Sequence, residues 1–158
     1  MKATRLAAAL LALPFAAAAH QPDIPADTPS AYRAECGGCH VPFLPALLAE
    51  SDWRTVMAQL DKHYGDNASL DEPTRRQIED FLARNAGARW RLLFGSGAPP
   101  RLTDTVWFQH HHYDFTAATW SHPQVRTPSN CAACHPQAED GLFHIRDLKL
   151  PPGLVRGE

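Results

Sequence analysis

"YRAECGGCHVPF", from Tyr32 to Phe43, holds two cysteines separated by two residues, with a histidine directly after the second. "SNCAACHPQ", from Ser129 to Gln137, repeats the arrangement. In C-x-x-C-H the thiols add across the two vinyl groups of a haem, and the adjacent histidine projects under the ring centre to bind the iron. The spacing therefore assigns Cys36, Cys39, Cys131 and Cys134 to the thioether attachment of two haem c groups, and His40 and His135 to the irons. These are all the cysteines of the 158-residue chain, so none remains for a disulfide framework. Other uses of paired cysteines fit less well. A thioredoxin-like redox pair needs a preceding strand in an α/β pattern. A four-cysteine zinc site leaves both histidines unexplained and must join motifs about ninety residues apart.

The first twenty residues read as an export signal rather than as part of the fold. Lys2 and Arg5 precede an apolar run from Leu6 to Ala16, and Ala17-Ala18-Ala19 offers a cleavage site before His20. That run is too short to span a bilayer. The expectation is a signal peptide over 1–19 and an exported, soluble mature protein in a bacterial periplasm, where c-type haem attachment follows secretion. Cleavage removes two of 15 basic side chains against 17 acidic ones, moving the net charge from −2 to −4. So mild an acidity excludes the basic footprint of a nucleic-acid binder and selects no particular protein partner.

The remaining pattern is helical. Thr28-Pro29 predicts an N-cap and first helical residue leading through Tyr32 into the first motif. Ser51 predicts a second helix whose apolar stripe runs through Trp53, Val56, Met57, Leu60 and Tyr64, with His63 on its edge and Gly65 as its stop. A third helix is expected from near Asp71 to Gly87, turning Ile78, Phe81 and Leu82 inward. Gly95–Pro100 marks the expected boundary between an N-terminal haem domain, 20–94, and a C-terminal one, 101–158. Beyond it a short helix capped by Thr103 or Asp104 is expected. No stretch alternates as a strand would. The fold class is mainly α, with long loops and with Trp53, Phe81, Trp107 and Phe108 as walls packed around the two haems.

Function turns on the sixth iron positions. Met57 is the one methionine left after cleavage, while His20, His63, His110, His111, His112, His122 and His144 are spare. Methionine ligation raises a haem potential and histidine keeps it lower; an open position means ligand binding or catalysis. His63, beside the aromatic stripe, is the first choice and Met57 the second. Within His110-His111-His112, helical neighbours point about 100° apart, so one of the three can aim at an iron, and spacing does not choose among them. His122 competes for the same role. Surface copper or zinc binding by the triplet, or an amine–imidazole copper clamp at an N-terminal His20, is a weaker reading.

Taken together, "YRAECGGCHVPFLPALL", "SDWRTVMAQLDKHYGDNASLD", "RLTDTVWFQHHHYDF" and "TPSNCAACHPQAEDGLF" resemble, in order and spacing, the small exported dihaem cytochrome c family known as DHC. The resemblance covers most of Tyr32 to Leu150 and rests on the "DKHYGDNASLD" and "WFQHHH" blocks beyond the generic haem motifs. It implies electron transfer through two bis-histidine haems, with His63 and His112 as distal ligands. In the family one histidine follows Trp-Phe after three residues; His110 and His111 are additions here. It also implies redox partner proteins, namely an oxygen-binding monohaem cytochrome and a membrane b-type cytochrome. On this reading no residue is catalytic. The competing classes are a dihaem peroxidase- or reductase-like enzyme and a gas-binding module, each needing one open iron.

Overall fold

The structure, a computed structural model, describes residues 24–87 and 100–157. The expected signal segment, His20 and all of the expected boundary except Pro100 lie outside those residues. Within them the chain is helical, as the apolar periodicity predicts: α1 is Ser30–Gly37, α2 Glu50–Met57, α3 Glu72–Arg84, α4 Val106–His111 and α5 Ala117–Trp120. Single 3-10 turns join them, and the β-type pairing present is an isolated antiparallel bridge between His63 and Asp66. Among the described residues no helix is long and apolar enough to cross a membrane.

The core is built where α2 packs on α3. Trp53, Val56 and Met57 recur at helical spacing on α2, and Ile78, Phe81 and Leu82 do so on α3; all six are buried. Asp71 caps α3 by accepting a hydrogen bond from the Thr74 amide, with Pro73 in the first turn. From α1, Tyr32 adds its ring 5.3 Å from that of Phe81. Leu102 and Phe108, from the segment after Pro100, complete the same apolar cluster, so it draws on both described segments. Phe81 is 0% exposed, and its surroundings are protein. It and Trp53 belong to this helix–helix core rather than to the expected haem walls.

Several local expectations shift. Pro29, not Thr28, occupies the N-cap of α1, and the Thr28 hydroxyl turns back to donate to the Pro25 carbonyl. The cap of α4 is Thr105, whose hydroxyl accepts from the Phe108 amide; the predicted Thr103 and Asp104 sit in the preceding 3-10 turn. Ser51 lies inside α2, whose N-cap is Ala49. Most consequential, α2 stops at Met57. Gln59 leaves helical geometry, a 3-10 turn covers Leu60–Lys62, and the Leu60 carbonyl accepts from the Ala68 amide at 2.8 Å. That bond reaches eight residues along the chain and takes the Leu60 carbonyl, which a continuing helix would have given to the Tyr64 amide. Tyr64 consequently leaves the buried stripe, and His63 is carried by a turn.

Two hydrogen bonds, one buried and one partly buried, pin the loop that follows the first cysteine motif. Tyr32 Oη donates to the Phe43 carbonyl at 2.5 Å and Trp53 Nε1 to the Pro45 carbonyl at 2.7 Å. At the other motif, the Lys149 amide donates to the Cys134 carbonyl at 2.9 Å, tying the C-terminal tail to it. Gly141 brings the second motif's turn against the start of the described chain. It lies at φ +74°, with Leu142 N–H on the Gln137 carbonyl and its own N–H on the Ala138 carbonyl, a left-handed stop. A Cβ there would fall 2.6 Å from Ile24 Cγ1 and 3.1 Å from Leu44 Cδ2. Gly141→Ala is therefore expected to destabilise the holo-protein by about 2–4 kcal/mol, combining left-handed strain with overpacking. Denaturant unfolding reads this as a lower midpoint at unchanged slope; an unchanged midpoint would mean that the contact is not made.

Candidate haem sites

The first motif rides on the end of α1. Cys36 is half-buried in its last turn, Cys39 is exposed, and His40 follows as the chain leaves the helix. The His40 ring donates from Nδ1 to the Val41 carbonyl at 2.7 Å and stacks on Phe43, centroids 4.5 Å apart. With Nδ1 carrying the proton, Nε2 presents its lone pair for a metal. The His63 ring lies opposite, 6.3 Å from His40 centroid to centroid, with planes 21° apart.

The second motif has no helix of its own. Cys131–Ala133 is a 3-10 turn, and the His135 amide donates to the Cys131 carbonyl at 2.8 Å. Opposite His135 stands His112, again at 6.3 Å but with the planes crossed at 82°. His112 is fixed from α4: its Nδ1 donates to the Phe108 carbonyl at 2.8 Å, and its ring stacks on Phe108 at 4.0 Å. Trp120 and Phe115 flank His112, and Phe143 flanks His135.

Two imidazoles bound through nitrogen on opposite sides of one metal, with bonds of about 2.0 Å and about 1.1 Å from nitrogen to ring centre, lie about 6.2 Å apart. Both pairs match. Among the described residues no three or more His, Cys, Asp or Glu side chains converge as a metal-holding group, so each pair offers two axial donors, the number a haem iron needs beside its own four nitrogens. This arrangement fits two haems and not a four-cysteine zinc site.

Electrostatics favours the ligating form. Burial lowers the His63, His112 and His135 pKa values from the usual imidazole range, keeping the rings neutral near pH 7. For His63 the neighbouring His40 and Arg101 add to the effect and Asp66 opposes it. Burial pushes the Cys36 thiol up to about 12 and the Cys131 thiol to about 11. A redox-active dithiol has the opposite shift.

The other candidates stand elsewhere. His110 and His111 are exposed, and the His111 Nδ1 donates to the Trp107 carbonyl. His122 Nδ1 accepts from the Gln124 amide, which puts the proton of the neutral ring on Nε2. Met57 is 3% exposed within the α2–α3 core. The aromatic neighbours Phe43, Phe115, Trp120 and Phe143, and the Tyr64–Arg101 pair beside His63, are not among the site residues that the sequence points to. Phe43, three residues after His40 between two prolines, carries a local signal; Arg101 carries none.

The chain matches the family described as dihaem cytochrome c over residues 32–143. Solved structures similar to it include the diheme cytochrome type c of Shewanella baltica OS155, sb-DHC, at 32% identity and a TM-score of 0.69, covering 82% of this chain and 97% of that one. DHC purified from Rhodobacter sphaeroides is 41% identical with a TM-score of 0.63, covering 73% of this chain and 97% of that one. A second structure of the Rhodobacter sphaeroides diheme cytochrome c gives 38% and 0.66, covering 77% of this chain and 99% of that one. No curated protein matches in sequence. With the family matched over most of the chain and the helical fold shared, the chain belongs to the dihaem cytochrome c family, as a haem-based electron carrier with two covalently bound haem c groups.

Proposed function

We propose that the protein relays electrons in the periplasm through two low-spin, bis-histidine haems. Cys36 and Cys39 attach one, with His40 and His63 as its axial ligands; Cys131 and Cys134 attach the other, with His135 and His112. The observation that carries this reading is the pair of opposed imidazole couples, both at 6.3 Å. A bound haem supplies one-electron exchange at iron. The chain's own part is to fill both axial positions of each iron, with one imidazole of each pair oriented by a backbone carbonyl, so that coordination does not change with oxidation state and no position is left for a substrate. The Nδ1 bonds of His40 and His112 to carbonyls make those imidazoles stronger donors and hold their ring planes. An oxygen-binding monohaem cytochrome and a membrane b-type cytochrome are the redox partners we propose, on the strength of the family resemblance.

Optical spectra of the mature protein, oxidised and reduced, with and without carbon monoxide, test the proposal, alongside a pyridine haemochrome count. Two c-type haems are expected, low-spin in both states, with no methionine charge-transfer band and no carbon monoxide shift. A high-spin fraction or a clear shift would transfer the function to an enzyme or gas-binding protein with one reachable iron.

A further inference from the structure

The two distal histidines are held by different means. His112, at the C-cap of α4, is fixed to that helix by the Phe108 carbonyl and the Phe108 ring. For His63, the ring contact besides His40 is Tyr64, edge-on at 4.9 Å, in a turn where Tyr64 takes φ +53° and Gly65 φ +112°. The backbone of that turn is closed by the Asp66 amide on the His63 carbonyl and the Ala68 amide on the Leu60 carbonyl, but a non-glycine residue at positive φ needs further contacts to stay there. Those contacts come from a distant part of the sequence. Tyr64 Oη donates to the Pro100 carbonyl, and the Arg101 guanidinium lies over the Tyr64 ring, 4.3 Å from its centroid. One face and the hydroxyl end of the tyrosine are thus engaged by the segment that leads into α4.

We propose that Tyr64 and Arg101 are positioning residues, a latch by which the segment leading to the second haem site holds His63 in line with the first iron. The latch rests on the reading of His63 as an axial ligand. Its consequence is asymmetric: loosening it weakens one axial bond, at the first haem, and leaves the His112 site as it was. The guanidinium also places a positive charge near His63, which would favour the reduced form of a haem held there.

The test compares holo-proteins carrying Tyr64→Phe, Arg101→Gln, Arg101→Lys and, as reference, His63→Ala. Haem count and far-ultraviolet circular dichroism confirm that each is loaded and folded. Tyr64→Phe and Arg101→Gln should let ferrous protein take up carbon monoxide at one of the two haems and leave the other inert. In Arg101→Gln the midpoint potential of one haem should also move while the other stays fixed. Arg101→Lys, which keeps a cation over the ring, should restore behaviour close to the parent. If the Tyr64 and Arg101 variants remain inert to carbon monoxide with both potentials unchanged, while His63→Ala opens one haem, the latch is wrong. If His63→Ala itself leaves both haems inert, the ligand assignment fails and the latch falls with it.

Discussion

Replacing His63 by alanine is expected to turn one haem high-spin and open to carbon monoxide, with the other low-spin and inert, giving one ligand bound per two haems. His112→Ala should do the same at the other haem. The reason is geometric: each imidazole sits 6.3 Å from a motif histidine, and the nearest alternatives are differently engaged. Met57 is packed in the α2–α3 core, His111 holds the Trp107 carbonyl and His122 accepts from the Gln124 amide. None can take over without breaking what it already does. The variants should differ in stability. His63 leaves from a turn, whereas His112 also removes a ring stacked on Phe108 and flanked by Trp120, so His112→Ala should cost about 1 kcal/mol more. Double variants should bind two equivalents. A fully low-spin, inert spectrum after either single substitution would show that another residue holds that iron.

Chemistry fixed by covalent spacing is legible in the sequence alone. Cys36, Cys39 and His40, and their counterparts Cys131, Cys134 and His135, lie within five residues of each other, so nothing distant decides their grouping. The α2–α3 core is equally legible, since Trp53, Val56 and Met57 facing Ile78, Phe81 and Leu82 need only helical periodicity. Legibility ends where tertiary contacts override local preference. Nothing in "MAQLDKH" announces that α2 stops at Met57, that the Leu60 carbonyl takes the Ala68 amide, or that His63 falls on a turn. Aromatic side chains are also ambiguous. Phe81 and Phe108 look alike in sequence, yet one is enclosed by helices and the other stacks on a histidine. Residue type alone does not distinguish these roles. Choosing His112 from three adjacent histidines requires the crossing geometry at His135 or the family pattern, because periodicity along one short helix gives no absolute direction.

The two haems should also be spectroscopically unlike. At the first site the imidazole planes are 21° apart and at the second 82°. Nearly parallel rings act on the same iron dπ orbital and separate it from its partner. Crossed rings act on both, leaving the pair close in energy. Low-spin ferric iron in the first arrangement gives a rhombic electron paramagnetic resonance signal, and in the second a strongly anisotropic one with a single broad low-field feature. The oxidised protein is therefore expected to show both signals in equal amounts. His63→Ala should remove the rhombic signal and His112→Ala the anisotropic one. The orientations are set by groups that can be changed without touching a proposed ligand. Phe108 fixes the His112 plane by stacking at 4.0 Å, and Phe43 fixes the His40 plane at 4.5 Å. Phe108→Leu should thus shift only the anisotropic signal, and Phe43→Leu only the rhombic one. Two identical rhombic signals from the parent protein would mean that binding of the second haem turns His112 or His135 out of the crossed arrangement. If Phe108→Leu then left both signals unchanged, the Phe108 stack would not be what sets the His112 plane.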